Sequence, residues 1–195
     1  MRNFSLLAMA FALILVAACA KAPEIEMQSS QAAMQAAVGA EAAEYALGTY
    51  QMAVDTLKAA EAALKEQDAK FGLFRNYGKV KQLFASAQAL AEKANAEAVA
   101  EKERMKGELT GMLVGTQALL DSANVMLTKA PRGKGSKADI ELIKTDLASA
   151  ATAMDQAKAD FEGGRYKAAL AGLTGIQDKA RSILAEIEAA FALKK

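Results

Sequence analysis

The segment FGLFRNYGKVKQLFASAQAL, Phe71 to Leu90, closes one long helical pattern and opens another. Gly72, Asn76 and Gly78 fall close together in it, and such residues mark a turn because they take backbone angles that other residues resist. Upstream, Leu57, Leu64 and Phe71 recur at heptad spacing with Ala53, Ala60 and Ala63 beside them. Downstream, Tyr77, Val80, Phe84 and Ala87 step by three and four, the spacing of one helix face.

Working outward, Pro23 followed by Glu24 and Glu26 reads as a helix start, since proline suits the first helical position and carboxylates suit the positive end of the helix dipole. The first helix is expected to run unbroken from there to about Lys70. The second is expected from about Lys79 to Lys129, with Met105, Met112, Leu119 and Met126 spaced by seven. KAPRGKGSK (Lys129–Lys137) combines proline, glycine and four cations and reads as a loop. A third helix is expected over about Ala138–Glu162, EGGR turns the chain, and a fourth runs from about Arg165 to Leu193. The fold class is all-α: about a quarter of the residues are alanine, and no segment alternates β-branched residues with period two.

Charge suggests how these helices dock. Met27–Ala40 carries no charge and Leu109–Leu127 only Asp121, whereas Ala53–Lys70 and Lys79–Lys106 are rich in Lys and Glu. Two antiparallel hairpins follow, a long one over 24–129 and a shorter one over 138–195, with the basic loop 130–137 between them. The shorter hairpin is expected to pack on the uncharged end of the longer, the end nearer the N-terminus of the chain, and the charged part to project beyond it. Gly107, Gly111 and Gly115 are expected to permit close packing against Ala168, Gly172 and Gly175, or else to form a self-association face.

Tyr166, Ala169, Leu173 and Ile176 after the second turn repeat the spacing of Tyr77, Val80, Phe84 and Ala87. Both sets resemble the second helix of a tetratricopeptide-type repeat, although the full repeat length is not kept.

The N-terminus carries an address. Arg2, an apolar run from Phe4 to Val16, and the small residues Ala17 and Ala18 have the order of a secretory signal, and the apolar run is shorter than the roughly 20 residues that span a bilayer. Val16-Ala17-Ala18-Cys19 resembles a bacterial lipobox. The resemblance implies cleavage between Ala18 and Cys19, a diacylglyceryl group on the Cys19 thiol, and residues 19–23 as anchor and short tether. Ala20, where inner-membrane lipoproteins often carry Asp, implies the periplasmic face of the outer membrane. Cys19 is the only cysteine, so no intramolecular disulfide can form.

The segments AAEYALGTYQMAVDTLKAAEAAL and FRNYGKVKQLFASAQALAEKANAEA resemble a family of small bacterial envelope lipoproteins whose function is not established. Their module is a helical hairpin with an E-Y-A-P start and a G-D-Y-like turn. Here Glu44-Tyr45-Ala46 matches, Leu47 stands in place of the proline, and Arg75-Asn76-Tyr77 forms the turn. Some relatives are joined to a peptidoglycan-binding domain of the outer-membrane-protein-A type, which implies proximity to peptidoglycan.

Histidine is absent, which removes Ser-His-Asp and Cys-His catalysis and the commonest transition-metal ligand. Formal charge is close to balance, so no basic field points to nucleic acid. The expectation is a non-enzymatic, membrane-anchored scaffold or adaptor in the cell envelope, with another envelope protein or a second copy as partner and no cofactor beyond the lipid on Cys19. The alternative is a self-associating coiled-coil spacer between outer membrane and cell wall, in which Lys194-Lys195 could be joined to peptidoglycan. Tyr45, Tyr50 and Tyr77 are the candidate partner contacts, with core or turn packing as their other reading. Lys129, Arg132, Lys134 and Lys137 could meet anionic headgroups or simply be solvated. Glu41, Glu44, Glu97 and Glu101 lie at helical spacing, but they lack the histidines of di-iron bundles, and no metal is expected.

Overall fold

The structure, a computed structural model, describes residues 21–130 and 137–192. The protein is all-α: α1 is Glu24–Gly39, α2 Ala42–Tyr45, α3 Leu47–Asp68, α4 Gly78–Lys129, α5 Lys137–Glu162 and α6 Tyr166–Ala192, with a 3-10 turn at Gly72–Phe74. Two compact units divide between Glu101 and Lys102, and α4 runs through that boundary.

The first unit corrects the expected unbroken helix over 24–70. α1 stops at Gly39, where the Ala40 amide donates to the Ala36 carbonyl at 3.0 Å and the Glu41 amide to that of Val38 at 2.9 Å. Glu41 takes the left-handed conformation at φ 59°, a rare choice for a non-glycine residue, and α2 follows for a single turn. Ala42, Tyr45 and Ala46 are buried at this corner, which is what holds it. The chain then reverses into α3. As a result Met27, near the start of α1, packs against a core of Ala60, Tyr77, Val80 and Phe84, together with Leu57 and Leu64. Glu26 pairs with Lys81 at 3.1 Å, and Pro23 is fully buried. The unit is therefore a three-helix arrangement of α1, α3 and the first half of α4. The uncharged stretch 27–40 belongs to this unit.

The second unit is built from the remainder of α4 with α5 and α6. Its core joins Leu109, Leu120 and Ala123 of α4 to Ile143, Leu147 and Met154 of α5 and Leu173, Ile183 and Ile187 of α6. Polar contacts fix the register. The Gln177 side-chain amide donates to the hydroxyl of fully buried Thr116 at 2.8 Å, Lys158 donates to Gln117 at 3.1 Å, and Lys179 pairs with Asp146 at 2.7 Å. The turn between α5 and α6 uses Gly164 at φ +74°, the left-handed C-cap that glycine favours.

The two units repeat one another. Tyr77, Val80, Phe84, Ala87, Ala91, Ala94 and Ala98 have the same spacing as Tyr166, Ala169, Leu173, Ile176, Ala180, Ile183 and Ile187, and all but half-buried Tyr166 are buried. Ser30, Met34 and Ala37 on α1 likewise match the spacing of Thr116, Leu120 and Ala123 on α4, down to a buried hydroxyl at the first position. Alanine in the first unit often stands where the second has isoleucine.

The glycine series is also corrected. Gly107, Gly111 and Gly115 are exposed, and a Cβ added at any of them would meet nothing within 4 Å. They serve no close packing within the unit. Of the opposing small residues, Gly172 alone of the two glycines approaches a neighbour, 3.5 Å from the Ala157 methyl.

Candidate functional site

The turn between α3 and α4 is the most elaborated part of the first unit. The Arg75 guanidinium reaches back to cap α3, donating to the carbonyls of Lys70 at 2.9 Å and Asp68 at 2.8 Å. Those carbonyls lack intrahelical partners, and a cation suits the negative end of the helix dipole. The Asn76 amide donates to the Gln67 side chain at 3.0 Å, and the Asn76 side-chain oxygen accepts from the Gly78 amide at 2.9 Å, starting α4. The Tyr77 hydroxyl donates to Asp68 at 2.6 Å, and the adjacent carboxylate pushes the Tyr77 phenol above its ordinary value.

This network holds a short apolar projection. Phe71, Leu73 and Phe74 are 72%, 57% and 74% exposed, with the two rings tilted at 52° and their centroids 6.4 Å apart. Phe71 had a place in the expected heptad core, but the chain leaves helical geometry at Lys70 and turns the ring outward. No buried side-chain nitrogen or oxygen among the described residues lacks a hydrogen-bond partner. The turn is tied to α3 by its polar groups while its apolar side chains face solvent.

The start of α1 lies at the same end of the unit. Its Glu26 carboxyl is held below the usual carboxylate range, first by a backbone hydrogen bond at the helix N-terminus and then by Lys81. Ile25, beside it, is 77% exposed. This juxtaposition follows from the reversal at residues 39–47.

The tyrosines are placed as follows. Tyr45 and Tyr77 are buried in their own unit, which agrees with core or turn packing, the other reading given for them. Tyr50 is half-buried in the first turn of α3. Ala18, Cys19, Arg132, Lys134 and the terminal lysines lie outside the described residues. Lys129 is exposed at the end of α4, and Lys137 begins α5. Of the carboxylates, Glu41 and Glu44 sit at the corner between α1 and α3, while Glu97 pairs with Lys93 along α4 at 3.7 Å. Among the described residues no group of three or more Asp, Glu, Cys or His is arranged to hold a metal ion. No helix among them is long and apolar enough to cross a membrane.

The second unit carries a shallow open groove of about 440 Å³ between α4 and α5, lined by Leu113, Val114, Gln117, Ala118, Asp121 and Lys158. Val114 on its rim is 70% exposed.

No family model, curated protein or solved structure matches the chain.

Proposed function

We propose that this protein is a lipid-anchored, non-enzymatic helical scaffold of the bacterial cell envelope, attached through Cys19 to the periplasmic face of the outer membrane and acting as an adaptor for another envelope protein. The observation that carries the reading is the lipobox-like Val16-Ala17-Ala18-Cys19 set four residues ahead of Pro23, whose side chain is buried in the first unit. A chain so arranged is held against its membrane by a tether too short to let the folded part wander. Two acyl chains make such attachment stable, because each buried methylene contributes about 0.8 kcal/mol. The groove on the second unit, lined by Leu113, Val114 and Ala118 together with Asp121 and Lys158, offers a surface for a helical segment of a partner.

Photo-crosslinking in cells tests this reading. A photoreactive residue at Val114, compared with one at Glu92 on the solvated face of α4, is expected to capture one recurrent envelope protein from Val114 only. Adducts confined to a second copy of the chain, or to peptidoglycan, would replace the adaptor with the spacer.

A further inference from the structure

The reversal at residues 39–47 brings the apolar turn and the start of α1 to one end of the first unit. Lys81, in the first turn of α4, pairs with Glu26 at 3.1 Å, and Met27 packs with Tyr77 and Val80. Phe71, Leu73 and Phe74 lie in the turn that leads into α4, and Ile25 is on the first turn of α1. Four large apolar side chains, each more than half exposed, therefore share one end of the unit with the point where the described chain begins. Lys21, Lys70 and Lys79 are exposed and neighbour them in the chain, as do exposed Glu24 and Asp68.

We infer that this end is a membrane-contact surface, in which Phe71, Leu73, Phe74 and Ile25 enter the headgroup layer of the leaflet that holds the lipid on Cys19. The inference rests on the lipid-anchor reading of Cys19. Pro23 lies four positions after Cys19, and an extended chain spans at most about 3.6 Å per residue. Pro23, the residue before α1, is then within about 14 Å of the Cys19 backbone, so the end of the unit that carries the turn is brought up to the lipid headgroups. Exposed phenylalanines flanked by lysines match such an interface, with apolar side chains entering the acyl boundary and ammonium groups meeting phosphates. The Arg75 and Asn76 hydrogen bonds fix the turn in advance, so no ordering of the loop is needed on contact.

The chain has no tryptophan, so Phe74→Trp supplies a single fluorescent probe at the turn, and Leu47→Trp supplies one at the corner on the other end of the unit. Each full chain would be expressed with its own leader, its mass measured for lipid on Cys19, and the protein reconstituted into vesicles of phosphatidylethanolamine and phosphatidylglycerol with or without brominated acyl chains. Phe71→Trp repeats the measurement should the first variant fold poorly. The expected result is lipid on Cys19, with blue-shifted emission at Phe74→Trp that brominated lipid quenches and solvent-like, unquenched emission at Leu47→Trp. Lipid on Cys19 with no quenching at the turn, or equal quenching at both sites, would overturn the contact surface and leave the anchor standing. Absence of lipid with quenching at the turn would overturn the anchor alone. Absence of both would overturn both.

Discussion

At the scale of single residues, backbone conformation and charge make separable contributions. Gly164 is at φ +74° and a Cβ there would meet nothing within 4 Å, so Gly164→Ala tests conformation alone. It is expected to destabilise the second unit by about 1 kcal/mol, because a left-handed residue with a Cβ strains against its carbonyl. Gly111→Ala is expected to do the reverse and stabilise by up to about 1 kcal/mol, since Gly111 lies inside α4 with open space around it. Thermal unfolding of the two variants checks both signs. Glu26 predicts a pH dependence. Its carboxyl is lowered in the folded state, so its stabilisation is fully present above the ordinary carboxylate pKa and is lost as pH falls through the lowered one. Denaturant midpoints of the wild type and Glu26→Gln should therefore differ at neutral pH and converge in acid. Tyr77 runs the other way: its raised phenol keeps the hydrogen bond to Asp68 below the ordinary tyrosine pKa, and that contribution is lost as pH rises through the raised value.

At the scale of elements, the turns at 71–78 and 163–165 were legible because Gly and Asn announce them, and the helices α5 and α6 fall where their apolar spacing placed them. The corner at 39–47 was not. Its residues are mostly alanine and glutamate, the strongest helix formers, and local propensity favours carrying the helix straight through. The break is imposed from outside, by burial of Ala42, Tyr45 and Ala46 and by the docking of Met27 and Pro23. One local sign existed: Leu47 is the first residue of α3, the position where proline is tolerated and where the resembled envelope module carries one. Leu47→Pro is accordingly expected to leave helix content and midpoint nearly unchanged, whereas proline inside an unbroken helix would cost about 3 kcal/mol. The apolar turn was hidden for a related reason. Heptad spacing assigned Phe71 to a core, and only the departure from helical geometry at Lys70 sends it to solvent.

The repeated units set a further expectation. Ala94 and Ile183 occupy matching positions, both buried, yet each side chain is sized to its own unit. Ala94→Ile should destabilise by about 1–3 kcal/mol through overpacking, and Ile183→Ala by about 2–5 kcal/mol through the cavity it leaves. Chemical denaturation of each variant reads both values.

At the scale of the whole molecule, the chain uses one three-helix plan twice, with α4 serving as the last helix of the first unit and the first helix of the second. Only the part of the repeat around the two turns was visible in the sequence. Along the rest, the small alanines of one unit stand against the branched residues of the other, and composition conceals the shared spacing. The functional reading depends most on the first unit. With the proposed lipid anchor at Cys19, the reversal after Gly39 is what would bring the start of α1 and the apolar turn to the membrane together.

The distance between the start of α1 and the start of α4 tests that reversal directly. Spin labels at Gln28→Cys and Gln82→Cys, in a chain lacking residues 1–18 and carrying Cys19→Ser, would be measured by double electron–electron resonance. The expected distance is within about 20 Å, the separation of adjacent helices plus two label arms. A distance near 60 Å, the length of an unbroken helix from residue 28 to the turn at about 1.5 Å per residue, would contradict the reversal and separate the apolar turn from the proposed membrane anchor.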